Sequence, residues 1–232
     1  MTIDRELTLG IETSGFGGSV ALVESGVVIA SRDLDPTGRR HARTLVPEIQ
    51  SLLIEAGRTA SELQLIAVSI GPGSFTGLRV GVVCAKTLAW AAGAKVLAVD
   101  TFLATAAQSP PDVTTVQVVG DGQRGDLYIG RYHRQDKGDW IRDGEIVICP
   151  AEDWLAQLTA EDVVTGPALE RHASAIRCRV LPLELRQPHA STVALLGERR
   201  LTTTGASDDL WLLEPLYLRK SGAEEKAEMV NG

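Results

Sequence analysis

Cysteine is scarce in this sequence. The 232 residues include three cysteines, Cys84, Cys149 and Cys178, which are odd in number and far apart. That spacing excludes a disulfide framework and the closely paired cysteines of a structural zinc site. We therefore expect a protein of a reducing compartment, the cytoplasm.

Long apolar runs and a surplus of basic residues are also missing. The longest apolar stretch, 80–92, is interrupted by Gly81, Lys86 and Thr87, so we expect no membrane span. The first residues carry acids rather than an apolar run, and we expect no secretory signal. The formal net charge is −7. Because binding nucleic acid by charge needs a basic face, any contact with RNA is expected to depend on a partner.

The patterns that are present predict an α/β protein. Apolar strands joined by glycine turns come first, and helices then alternate with continuously apolar strands, which is typical of a parallel sheet covered on both faces. The predicted segments are strands within 7–34, a helix at 39–57, a strand at 63–71, a helix at 74–92, a strand at 94–101 and a helix at 102–108. This order matches one ribonuclease-H-like lobe of the actin, Hsp70 and sugar-kinase superfamily.

Two prolines in "QSPPDVTT" interrupt the pattern and predict a boundary between two lobes. The first lobe is residues 1–107 and the second is 108–220. The second lobe begins again with strands, including a hairpin around 121–125. Residues 221–232 are predicted to form a mobile tail.

The stretch "GPGSFTGLRVG" (71–81) places a glycine-rich turn before a helix. It is not a Walker A loop, since no lysine follows its last glycine, and it has one residue too many for a dinucleotide fingerprint. Free N–H groups at a helix start still favour an anion, which makes Gly71 and Gly73 candidates for a phosphate contact. A tight turn capped by Ser74 or Thr76 is the alternative.

The helix after this turn carries a stripe of small residues at intervals of four. They are Gly77, Gly81, Ala85, Ala89 and Gly93. A glycine in a helix interior costs about 1 kcal/mol relative to alanine, which indicates that another backbone approaches closely. The stripe could pack on the chain's own sheet or helix, or it could face a partner subunit, and spacing alone favours neither.

Few residues suggest catalysis. The four histidines lack metal-ligand spacing, Ser74 lacks a G-x-S-x-G setting, and Cys84 lies inside an apolar helix. ATPases of this superfamily use an acid near the end of the first strand, which points to Glu12. The turn that follows, with Thr13 and Ser14, could wrap a phosphate.

A second acidic pair lies in the hairpin of the second lobe. Asp121 and Asp126 could hold a metal, or they could belong to a solvated turn. No sequence pattern distinguishes these two interpretations.

Several blocks resemble the TsaB (YeaZ) family of bacterial tRNA threonylcarbamoyladenosine biosynthesis proteins. The blocks are "GIETSGFGGSVALVESG", "RRHARTLVPEI", "SIGPGSFTGLRVGVVCAKTLAWAAGAKVLAVDTF", "GDGQRGDLYIGRY" and, near the end, "EPLYLRK". The resemblance covers residues 7–135 and returns at 214–220. It implies a two-lobed fold like those of actin, Hsp70 and sugar kinases.

The resemblance also implies a function. Members of this family are non-catalytic scaffolds that pair with TsaD, the subunit that transfers a threonylcarbamoyl group to an adenosine of tRNA. A TsaE-like ATPase joins the complex, and the scaffold forms a homodimer when alone. The resemblance implies contact with tRNA only through the complex and no intrinsic cofactor, with a nucleotide possible at a subunit junction.

The family's partner surface uses the two helices before and after the GPGSFTG turn. Carried over to this chain, the expected interface residues are His41, Leu45, Ile49, Gly77, Leu78, Gly81, Val82, Ala85 and Ala89. Two features depart from the family pattern: Glu12 stands where Asp is usual, and residues 121–128 differ from D-A-R-x-x-E-V-Y. An ATP-binding enzyme of the same superfamily acting alone is the alternative function, and a peptidase is a third.

Overall fold

The computed structural model describes residues 6–15, 17–34 and 41–219, so the predicted tail at 221–232 lies outside the described residues. The first half contains β1 (Leu7–Glu12), β2 (Ser19–Glu24), β3 (Val27–Asp33), α1 (His41–Glu55), β4 (Leu63–Ser69), α2 (Phe75–Ala92), β5 (Lys95–Val99) and α3 (Thr101–Ala107). The second half contains β6 (Thr115–Asp121), β7 (Asp126–Arg134), β8 (Trp140–Pro150), α4 (Ala151–Gln157), β9 (Val163–Thr165), β10 (Arg179–Val180) and α5 (Ala190–Thr204). Short 3₁₀ helices lie at Ala60–Glu62, Pro167–His172 and Leu183–Leu185.

The first sheet has the strand order β3-β2-β1-β4-β5. Strands β1, β2 and β3 pair antiparallel, whereas β4 pairs parallel with both β1 and β5. The β2–β3 turn uses Ser25 and Gly26, both with positive φ, as a two-residue hairpin requires. The predicted element order of the first half is therefore confirmed.

The second sheet repeats this order as β8-β7-β6-β9-β10. Its first three strands form an antiparallel meander, and β9 then pairs parallel with both β6 and β10. The hairpin predicted around 121–125 is confirmed as the β6–β7 connection. Strands β9 and β10 were not predicted, because they are too short to show a periodic pattern.

Two layers of helices enclose the first sheet. Helices α1 and α2 cover one face, where Leu45 and Val82 join a core with Leu9 and Ile66. Helix α5 covers the opposite face, packing through Val193 on Ala67 and Val99 and through Leu201 on Leu65 and Leu97. Helix α5 thus comes from the second half of the sequence and packs on the first sheet. The lobe boundaries 1–107 and 108–220 stay a prediction.

Residues 205–219 return across both sheets, and we call them the closing segment. The Asp208 amide donates to Val96 O at 3.0 Å, and the Asp208 carboxylate accepts from Ala98 N at 2.7 Å, which covers the outer edge of β5. Farther on, Leu216 N donates to Ile70 O. Arg219 then reaches the β6–β7 turn, where it pairs with Asp126. The last described residues thus link the two halves.

Candidate functional site

The start of α2 is a capped turn. The Ser74 hydroxyl accepts a hydrogen bond from Gly77 N at 3.3 Å, which confirms the predicted cap. The Ser74 amide itself donates to Ser14 O at 2.6 Å. This one N–H is therefore not available to a phosphate. The roles suggested for Gly71 and Gly73 stay predictions.

The small stripe of α2 meets the same end of β1. A Cβ on Gly77 would lie 2.0 Å from Thr13 O, and one on Gly81 would lie 2.3 Å from Thr13 Oγ1. The Thr13 hydroxyl also donates to Gly77 O at 2.8 Å. Of the two alternatives for the stripe, close packing within the chain explains these two glycines.

Glu12 is enclosed beneath this contact. Its side chain is 1% exposed, and one carboxyl oxygen accepts from Ser14 N. The other oxygen, Oε2, has no hydrogen-bond partner among the described residues, and neither does the nearby Ser69 hydroxyl. Burial raises the pKa of Glu12, although hydrogen bonding by Ser14 acts in the opposite direction. The Glu12 carboxyl is therefore closed off from solvent by the surrounding residues.

The expected interface residues do not form a surface. Every one whose side chain is described is buried, and the exposed fraction of Leu45, Ile49, Leu78 and Val82 is between 1% and 3%. Their assignment to an outward face is wrong, because they pack between the two helices and the first sheet. The glycines and alanines of the set are buried as well: Gly77, Gly81, Ala85 and Ala89. The side chain of His41 lies outside the described part of the chain.

The opposite side of the same helices is exposed. We call it the outer face, and it consists of Val46, Pro47, Gln50 and Ile54 of α1 with Arg79, Val83, Thr87 and Trp90 of α2. Four of these are large apolar side chains, and Trp90 is 69% exposed. Both helices lie on one face of the sheet, so their outward sides point the same way. Several large apolar side chains exposed on one side of a helix pair are typical of a protein–protein contact.

The two acids of the β6–β7 turn are held by arginines. Asp121 accepts from Arg171 at 2.7 Å and from Gln123 N at 2.8 Å, while Asp126 pairs with Arg219. These contacts favour the turn interpretation over a metal site. Within the described ranges, no group of three or more His, Cys, Asp or Glu side chains has the geometry to hold a metal ion.

A groove of about 790 Å³ lies beside the edge of β5, between the two sheets, and sequence reasoning missed it. Its walls include Leu103, Leu196 and Trp140, whose buried indole N–H has no partner among the described residues. Asp100 at the end of β5 also lines it, where the Asp100 carboxylate accepts from Tyr132 at 2.9 Å and from Arg142 at 3.1 Å. Burial raises the pKa of Asp100.

The cysteine in α2 is an unreactive thiol. Burial raises the pKa of Cys84 to about 11, so the nucleophilic thiolate is rare near neutral pH. The structure places this side chain in the core of the first sheet.

Within the described ranges, no helix is both long enough and apolar enough to cross a membrane.

Comparison with known proteins shows the family to which the chain is related. The model of the family described as "TsaD: tRNA N6-adenosine threonylcarbamoyltransferase" matches residues 35–179. The tRNA threonylcarbamoyladenosine biosynthesis protein TsaB of Escherichia coli is 32% identical over 163 residues, which are 68% of this chain and 70% of that protein. The chain belongs to the TsaB family. The TsaB protein of Bacillus subtilis is 28% identical over 94% of this chain and 96% of its own length.

A solved structure supports the same conclusion. YeaZ from Pseudomonas aeruginosa superposes with a TM-score of 0.79 at 27% identity, over 92% of this chain and all of that one. The resemblance to the TsaB (YeaZ) family and the actin/Hsp70/sugar-kinase-like fold class, both expected from the sequence, are confirmed.

Proposed function

We propose that this chain is a non-catalytic scaffold in tRNA threonylcarbamoyladenosine biosynthesis, and that its outer face binds a TsaD-like transferase subunit. In this proposal a TsaE-like ATPase joins the pair, and the chain forms a homodimer when alone. Contact with tRNA takes place through the complex. The chain needs no cofactor of its own, and a nucleotide would bind at a junction between subunits.

The outer face is the observation that carries the proposal. Val46, Ile54, Val83 and Trp90 are exposed together on one side of a two-helix layer. Exposed aromatic and aliphatic side chains of this kind are the usual anchors of a protein interface. The family-model match and the TsaB relatives support a TsaD-like protein as the partner.

The state of the candidate catalytic groups supports a binding role. The Glu12 carboxyl is enclosed, the Ser74 amide is bonded to Ser14, and the Cys84 thiol is buried with a raised pKa. The burial or bonding of these three groups supports a binding role over a catalytic one.

Replacement of outer-face residues tests the proposal. Val83→Glu and Trp90→Glu each place a charge in the centre of the proposed interface, where it would be buried without a partner. We expect each variant to bind the TsaD protein of the same organism at least about 100-fold more weakly, measured by titration calorimetry. Formation of threonylcarbamoyladenosine in a reconstituted reaction should fall in parallel.

Val147→Glu is the matched control. Val147 is an exposed valine on β8 of the second sheet, and we expect its replacement to leave binding unchanged. Wild-type protein that does not bind TsaD would overturn the proposal. Tight binding of Mg-ATP by the isolated chain would instead support the alternative, an ATP-dependent enzyme acting alone.

A further inference from the structure

The closing segment carries the two most exposed large apolar side chains among the described residues. Trp211 is 74% exposed and Leu212 is 78% exposed. Both lie in a turn formed by residues 209–213, which we call the projecting turn. An exposed tryptophan beside an exposed leucine is unfavourable in water unless another surface covers them.

The projecting turn is firmly built. The Asp209 carboxylate accepts from Trp211 N at 2.7 Å and from Leu212 N at 3.3 Å, and Leu213 N donates to Asp209 O at 3.0 Å. Leu210 and Leu213, on either side of the exposed pair, pack into the core of the first sheet. The backbone of the turn is therefore fixed with Trp211 and Leu212 exposed, and little backbone conformational entropy remains to be lost on binding.

The turn is continuous with the outer face. The Lys86 ammonium of α2 donates to Trp211 O and to Leu213 O, each at 3.1 Å. Val83 and Trp90 lie three residues before and four residues after Lys86, which places them on the same side of the helix. The projecting turn and the exposed side of α2 therefore border each other at Lys86.

A second set of contacts binds the closing segment to the start of α2. Tyr217 stacks on Phe75 with ring centroids 4.7 Å apart, and Arg79 donates to the Tyr217 hydroxyl at 2.9 Å. The closing segment is thus fixed to α2 at both ends of the exposed stretch. A partner that covers α2 meets this segment as well.

The small size of the outer face is a reason to expect that a partner also contacts the projecting turn. A standard protein interface uses about 20–30 residues on each side, more than the eight residues by which the outer face is defined. A partner seated on α1 and α2 needs further surface, and the projecting turn is the adjoining apolar element. We propose that Trp211 and Leu212 insert into an apolar recess of the TsaD-like partner, as a second docking element beside the outer face. This inference rests on the proposed function.

Shortening both side chains tests the inference. The double variant Trp211→Ala/Leu212→Ala is compared with wild type for binding of the TsaD protein from the same organism, with the full chain and titration calorimetry. We expect the affinity to fall by about 30-fold or more, as for truncation of a tryptophan that fills an apolar recess. Leu183→Ala is the matched control, since Leu183 is 60% exposed on the second half, and it should bind as wild type does.

The outcomes separate this inference from the proposed function. If Val83→Glu abolishes binding while the double variant binds as wild type does, the docking role of the turn is overturned and the scaffold function stands. If the double variant loses only self-association, measured by light scattering, the turn binds a second copy and the inference is wrong. Unchanged far-ultraviolet circular dichroism and thermal midpoint of the double variant show that any lost affinity comes from the surface.

Discussion

Glu12 is the most completely enclosed acid in the described chain, and its protonation should be visible in the stability of the protein. Burial raises its pKa above the ordinary value of 4.5. Between that value and the raised one, the folded protein keeps a proton that the unfolded chain has released. Raising the pH through this window therefore destabilises the folded state, by about 1.4 kcal/mol for each unit by which the pKa is raised.

Glu12→Gln should remove this dependence. We measure the free energy of unfolding of both proteins with urea. As the pH rises from 4.5, we expect the value for the variant to increase relative to that of the wild type, and this difference to become constant above the pKa of Glu12 in the folded protein. Parallel pH profiles for the two proteins would contradict the argument.

Residue 77 must be glycine because a neighbouring backbone leaves no space for a side chain. A Cβ at this position would lie 2.0 Å from Thr13 O, and a backbone oxygen cannot move as the end of a side chain can. We expect Gly77→Ala to lower the free energy of unfolding by about 1–3 kcal/mol or more, although alanine is the better helix former. Gly17→Ala is the control, since a Cβ there has no described atom within 4 Å. Equal thermal midpoints for the two variants would show that α2 can shift away from β1.

The sequence predicted that a backbone approaches the glycines of α2 closely, but not which one. In the structure the Thr13 backbone meets Gly77, whereas Gly81 meets the Thr13 side chain. Spacing shows which residues share a side of a helix, and it does not show what lies opposite. In α2 the difficulty is greater, because Val83 and Trp90 make its exposed side apolar as well. With apolar residues on both sides, the helix lacked the polar face that would have shown its orientation.

Among the elements, β5 and α3 meet at Asp100, which joins the two sheets. Its carboxylate accepts from Phe102 N and Leu103 N at the start of α3, and from Tyr132 and Arg142 of the second sheet. Asp100→Ala removes a helix cap and leaves the Tyr132 hydroxyl buried without an acceptor. We expect a loss of about 2–4 kcal/mol in the free energy of unfolding.

Asp112→Ala provides the comparison for Asp100→Ala. Asp112 pairs with Arg179 on the surface, where both side chains are about half exposed, so its removal should cost less than about 1 kcal/mol. Both variants would be measured by urea unfolding at neutral pH. Equal losses would mean that Asp100 contributes no more to the free energy of unfolding than an exposed ion pair does.

Element order was the most predictable part of the fold. Turn residues and apolar periodicity are local, so they placed the β2–β3 hairpin, the β6–β7 hairpin and the cap of α2 correctly. Strand β10 has two residues and the closing segment has no repeating pattern. Their positions depend on contacts far along the chain, such as that of Leu216 N with Ile70 O. Such contacts between distant residues cannot be predicted from local sequence patterns.

In the molecule as a whole, the two sheets share one strand order but differ in how they are covered. The first sheet has helices on both faces and the closing segment along β5. The second has the short helix α4, and α3 packs against β6. The first sheet is therefore the better framework for a rigid docking surface, and the outer face and the projecting turn both lie on it.

The cover of the first sheet comes from the end of the chain, which has a consequence for synthesis. All five strands of that sheet have been made by Val99, whereas its second face waits for α5 and the edge of β5 waits for Asp208. At about 5–20 residues per second, the ribosome needs roughly 5–20 s to add the intervening hundred or so residues. Through that interval a nascent chain presents an uncovered apolar face and an unpaired edge, the two features that promote aggregation. A chain terminated at any point before Asp208 would permanently lack the residue that bonds to the edge of β5.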